Sequence, residues 1–127
     1  QLPEIPEIPL DPAGLSRDPA VGEAYAADGY TYHGPFLKGT LLAIDRALQD
    51  IMADPGLDGV PAIWMHGADD PVAPYTHAEA AARHLIGPAG RHIAYPGARH
   101  EIFNETNREE VLDDLAAFIR QAIDVRA

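Results

Sequence analysis

Apolar positions along the chain follow two periods that alternate. Between residues 36 and 53, Leu41, Ile44, Leu48 and Ile51 recur at the spacing of one helical face, and Pro55 with Gly56 closes the segment. Ahead of it, "RDPAVGEAYAADG" offers Asp18 as an N-cap, Pro19 at the first helical position and Gly29 near the end, which predicts a short helix. After "GLDG", the run "VPAIWMHG" is short, β-branched and aromatic, and bounded by glycines, as a buried strand is. Residues 76–86 return to the helical pattern as far as Gly87 and Pro88, and "RHIAYPG" reads as a second strand. Val111, Leu115, Phe118, Ile119, Ala122 and Ile123 form a last helical stripe, with Thr106 and Glu109 placed as a capping box in front of it. The predicted order is helix, helix, strand, helix, strand, helix.

That order constrains the topology. Strand, helix, strand implies two parallel strands joined by a right-handed crossover, and ligands of such folds gather at the carboxyl ends of the strands. Asp69, Asp70 and His100 all fall there. Two parallel strands make a poor sheet by themselves, because both faces need cover and the edge beside "AIWM" stays open, so the chain reads as part of a larger sheet. At the other end, Pro3, Pro6, Pro9 and Pro12 force extended backbone. We read this stretch as a linker or tail in preference to an arm laying Ile5, Ile8 and Leu10 over an apolar pocket.

Composition narrows the chemistry. A chain of 127 residues with 46% hydrophobic content suits one modest domain with a folded core. Nine basic against 20 acidic residues give a formal charge of −11, which repels phosphate backbones and anionic headgroups, so no nucleic-acid partner is expected. The absence of cysteine excludes disulfides, thiolate zinc sites and a cysteine nucleophile. No apolar run is long enough for a transmembrane segment, and the N-terminus lacks the features of a secretory signal. The expected setting is cytoplasmic, with any membrane contact peripheral. His100 to Asn104 begins like the zincin pattern, but its second histidine position holds Asn104, and His77 with His84 lacks a third ligand. Neither a metal nor a cofactor is expected.

Two blocks, "HGADDPVAP" at 66–74 and "YPGARHEIFNE" at 95–105, together with "GLSRDPAVGEAYAADG" upstream, resemble the C-terminal half of an α/β-hydrolase of the monoacylglycerol lipase and lysophospholipase type. The resemblance runs from about Leu15 to Ile123. It implies an α/β fold of two parallel strands with flanking helices plus a helical cap, completed by an N-terminal half absent from this chain. On that reading residues 1–55 are a cap or lid segment with its return helix, and 56–127 are the C-terminal part of the core. The resemblance aligns Asp70 with the acid of a catalytic triad and His100 with its base, and Val72 and Ile102 beside them are the candidate substrate contacts. Where family members often read Asp-Pro-Leu-Val, this chain has Asp28, Gly29, Tyr30 and Thr31. Tyr25, Tyr30, Tyr32 and Phe36 make the cap segment aromatic, and core packing accounts for them at least as well as acyl contact does.

The chemistry explains why such a pair is needed. A serine hydroxyl is a weak nucleophile at neutral pH, so an imidazole must take its proton during attack and return it to the leaving alcohol, while a carboxylate on the other ring nitrogen holds the tautomer. Asp70 rather than Asp69 fills the fifth position of the resembling His-Gly-x-x-Asp pattern, leaving Asp69 to cap or brace the loop and His66 to shape the turn. The only serine, Ser16, has neither a Gly-x-Ser-x-Gly elbow nor a strand before it, and the donors of an oxyanion hole are missing too. The expected function is therefore carboxylic ester hydrolysis, glycerol monoesters being the first choice of small acyl-ester substrate. The partner is an N-terminal half that carries the elbow, without which the chain is not competent. The alternative is a non-catalytic, hydrolase-derived fragment acting as a protein-interaction module, against which the retained acid and base argue. Hydrolysis and acyl transfer to an alcohol are not separated.

Overall fold

The computed structural model describes residues 9–57 and 59–124. Most of the proline-spaced stretch, with Pro3, Ile5, Pro6 and Ile8, lies outside them. Its last part reaches Pro9, which forms an isolated antiparallel bridge with Pro35. A short 3-10 turn at Pro12–Gly14 follows, where the Asp11 carboxylate accepts the Ala13 amide at 3.0 Å.

Helix α1 (Pro19–Ala27) starts where the sequence places it. Asp18 accepts the Ala20 amide at 3.0 Å, and Pro19 occupies a position whose amide has no helical partner to lose. Helix α2 (Lys38–Ala53) carries the expected stripe, but Leu41 and Ile51 are only half-buried while Ile44 and Leu48 remain exposed. The helix packs on α3 (Tyr75–Ile86). Two contacts fasten that junction: the Leu57 amide donates to the Leu85 carbonyl at 2.8 Å, and His84 Nε2 lies 2.7 Å from the Asp54 carbonyl.

Strands β1 (Ile63–Gly67) and β2 (Arg91–Tyr95) flank α3 in sequence and pair in parallel, from Ile63 opposite Arg91 to Gly67 opposite Tyr95. Alternation along the strands sorts their side chains onto two faces. Met65 and Ile93 pack against a core of Tyr95, Ala98, Ile102 and Val111, the last supplied by helix α4 (Arg108–Asp124). On the opposite face the Trp64 ring stacks on Tyr75, with centroids 5.0 Å apart. None of the described helices is long and apolar enough to cross a membrane.

The start of α4 corrects one expectation. The helix begins at Arg108, a residue too late for Thr106 and Glu109 to form a capping box. Asn107 stands at its entrance instead, donating from Nδ2 to Glu110 at 2.8 Å. The aromatic cap residues supply a second correction. Tyr30, Tyr32 and Phe36 are exposed rather than packed, and Asp28 closes a local turn at Tyr30 by accepting its amide and the Thr31 hydroxyl, each at 2.9 Å.

Past the strand ends, the two loops stay joined. The Ala68 amide donates to the Tyr95 carbonyl and the Asp69 amide to the Ala98 carbonyl, both at 3.0 Å. Gly67 permits this approach, since a Cβ there would run into the carbonyl oxygens of Arg99 and Ala98, which are backbone and cannot swing away. Gly67→Ala is therefore expected to destabilise the fold by about 1–3 kcal/mol, the usual cost of overpacking, as a drop in the urea midpoint with an unchanged slope. An unchanged midpoint would mean that the loops do not need this contact.

Candidate active site

Two loops leave neighbouring strands at the same edge and carry Asp70 and His100 toward each other. Asp70 Oδ2 accepts from His100 Nδ1 at 2.9 Å, although 30 residues separate the two in sequence. The other oxygen, Oδ1, accepts the amides of Val72 and Ala73 at 2.8 and 2.9 Å. One oxygen thus shapes the loop and the other holds the imidazole. The carboxylate is almost wholly buried, with 2% of the side chain exposed against 38% for His100. A charge-assisted bond in so dry a place is stronger and more directional than one in water. With Nδ1 committed as donor, Nε2 of a neutral His100 is left as the acceptor, the tautomer a general base needs.

The remaining residues singled out in the sequence sort themselves by contact. Asp69 braces the loop through its backbone amide, while the capping work falls to Asp70. His66 does more than shape the turn: its Nδ1 lies 2.8 Å from the Gly67 carbonyl, and its Nε2 lies 3.7 Å from Asp70 Oδ2. Val72 is half-buried beside the acid. Ile102, the other candidate substrate contact, has its side chain buried in the core with Tyr95, Ala98 and Val111. Ser16 is buried with its hydroxyl engaged, donating to the Asn104 carbonyl and accepting the Asp18 amide, both at 3.0 Å. Among the described residues, no group of three side chains gathers to hold a metal ion.

The sequence reading missed Glu105. Its side chain is fully buried, and it accepts the amides of Arg17, Arg99 and Thr106 and the Arg17 guanidinium Nε, at 2.8 to 3.0 Å. Arg17 Nη2 also donates to Asn107 Oδ1 at 2.6 Å. Two of these donors come from a residue 88 positions away, so no local pattern announces them.

Comparison with known proteins gives the chain its relatives. The protein family described as serine aminopeptidase, S33, matches residues 3–107. A monoacylglycerol lipase of Mycolicibacterium smegmatis is 32% identical over 117 residues, which span 92% of this chain and 42% of the lipase. Among solved structures, a monoacylglycerol lipase of Paleococcus ferrophilus superposes with a TM-score of 0.71 at 20% identity, over 94% of this chain and 48% of that one. A soluble variant of monoglyceride lipase from Saccharomyces cerevisiae, crystallised with a substrate analogue, gives 0.64 at 25% identity, over 91% and 43%. Over the part it spans, the chain has the α/β-hydrolase fold of these lipases. That part is less than half the length of each relative.

Glu105 also makes the site sensitive to acid. Burial alone would raise its pKa, but the hydrogen bonds from Arg99, Arg17 and Thr106 outweigh burial and lower it from the ordinary 4.5 to about 2. A carboxylate held below its unfolded value contributes stability that is fully present above about pH 4.5 and is lost as pH falls through about 2. Urea midpoints measured from pH 6 down to pH 2.5 are expected to fall across that window. In Glu105→Gln they should start lower and fall less steeply. Equal slopes in the two proteins would remove Glu105 as the cause.

Proposed function

Because the chain belongs to the S33 serine aminopeptidase family of α/β-hydrolases, we propose that it supplies the acid and the base of a carboxylic ester hydrolase of the monoacylglycerol lipase kind. The observation that carries this reading is the 2.9 Å bond from His100 Nδ1 to a buried Asp70 carboxylate that two backbone amides hold in place. The nucleophile is a serine on a Gly-x-Ser-x-Gly elbow outside residues 1–127. Support for that comes from Ser16, whose hydroxyl is engaged on both sides. The exposed apolar side chains of Ile44, Leu48, Ile119 and Ile123 agree with it, since α2 and α4 present faces that another part of such a fold could cover.

In the reaction, His100 Nε2 takes the proton of the serine as its oxygen attacks the ester carbonyl. Asp70 stabilises the imidazolium through Nδ1, and His100 returns the proton to the leaving alcohol. Water then repeats the attack on the acyl-enzyme. The substrate is a glycerol monoester, in keeping with the names of the relatives, and Val72 is the residue here proposed to meet its acyl part. Residues 1–55 serve as cap and return helix, and 56–127 as the C-terminal part of the core. The setting is cytoplasmic, with any membrane contact made peripherally by exposed cap side chains such as Phe36.

A fluorophosphonate probe applied to this chain together with its elbow-bearing segment tests the proposal. The expected outcome is a labelled serine outside residues 1–127, with labelling lost in His100→Ala and kcat for a monoacylglycerol lowered roughly 10³- to 10⁴-fold in Asp70→Asn. Labelling that survives His100→Ala would sink the assignment and leave a hydrolase-derived interaction module as the better account.

A further inference from the structure

We propose that Glu105 is a positioning residue for His100, its carboxylate locking the loop that carries the base onto the segment that leads into α1. The proposal rests on the reading of His100 as the base, and it concerns how that base is aimed.

The two residues that flank His100 are both anchored. On one side the Arg99 amide donates to Glu105 Oε1 at 2.8 Å, and on the other the Glu101 amide donates to the Leu15 carbonyl at 2.8 Å. Glu105 then ties its own oxygens to the segment that holds Leu15: Oε1 accepts the Arg17 amide at 3.0 Å and Oε2 accepts Arg17 Nε at 2.9 Å. The Arg99 side chain grips the same segment from outside, with Nη1 donating to the Ala13 carbonyl and, at 3.0 Å, to the Ser16 carbonyl. The backbone on either side of the imidazole is therefore fixed to residues 13–17.

The turn before the base is cut to fit this clamp. Gly97 has φ +78°, and a Cβ on it would lie 2.8 Å from Arg17 Nη1. Pro96 and Gly97 thus reverse the chain while leaving room for the guanidinium that pairs with Glu105. The consequence is geometric. His100 meets Asp70 at 2.9 Å, so a shift of about 1 Å at Arg99 or Glu101 would carry the pair beyond hydrogen-bond range. Glu105 touches no reacting atom, and the bond it protects is the one between His100 and Asp70.

The test needs a readout that does not depend on a serine. In the chain labelled with ¹⁵N-histidine, the His100 Nδ1–H proton held by Asp70 should resonate far downfield and exchange slowly with water. In Glu105→Gln, an amide group replaces an oxygen that receives only donors, and the expected result is exchange of that proton faster by roughly tenfold or more, while the amides of β1, β2 and α4 keep their dispersion. Unchanged exchange in a folded Glu105→Gln overturns the proposal. If that variant does not fold, Arg17→Lys decides the matter: it keeps the charge but has one nitrogen in place of the guanidinium that reaches Glu105 through Nε and Asn107 through Nη2. A measurable gain in His100 exchange supports the proposal, and no gain overturns it. In the assembled hydrolase the same substitutions should lower kcat roughly ten- to a hundredfold, with KM for the ester nearly constant. Failure of probe labelling in the unmodified protein would instead remove the ester hydrolase reading and leave the exchange result standing.

Discussion

A carboxylate stripped of water is costly unless donors replace the water, and the organisation of the site follows from how Glu105 meets that demand. Its donors come from three places in the chain: the segment before α1, the loop of His100, and its own neighbour Thr106. Satisfying one buried charge therefore joins segments that lie 88 positions apart in the chain. Ser16 reinforces the junction, because its hydroxyl spans from the Asp18 amide to the Asn104 carbonyl. His100 is thereby set on a frame that is polar on the inside.

Asp70 is held by a different device. Asp70 spends one oxygen on the amides of its own loop and presents the other, so that folding the loop and aiming the carboxylate are a single event. The parallel pairing of β1 and β2 supplies the rest, since both chains exit the sheet at the same edge. Gly67 sets how closely they travel beyond it. His66 adds a second imidazole near the Asp70 carboxylate, at 3.7 Å, so Asp70 Oδ2 has two rings close by, of which one is bound at hydrogen-bond distance.

The elements were legible in the sequence because period and punctuation agreed. Asp18 and Pro19 mark the start of α1, and the glycine-bounded run before "HG" marks β1, and each is found where its pattern puts it. Proximity was harder to read. That Asp69 and Asp70 share a strand end is visible in sequence. That Asp70 turns inward while Asp69 points to solvent depends on the amides of Val72 and Ala73 closing the loop. Ile102 stands two places after His100 in sequence, and the short 3-10 turn at Ile102–Asn104 carries its side chain into the core. Glu105 was missed because its partners are backbone amides and an arginine far away in the chain, which no period or motif encodes.

The apolar core and the polar frame have separate tasks. Tyr95, Ala98, Ile102 and Val111 fix α4 under the strand ends, and the raised pKa of Tyr95, caused by burial and then by its bond to Asp114, belongs to that layer. The apolar faces of α2 and α4 that include Ile44, Leu48, Ile119 and Ile123 are exposed in this chain, so covering them would add stability at a distance from Asp70 and His100. The bonds at Asp70, His100 and Glu105, in contrast, run between the loops beyond the strands and the segment before α1. The polar contacts among residues 11–18, 66–73 and 95–107 that bring His100 to Asp70 thus form a layer distinct from the apolar faces of the helices.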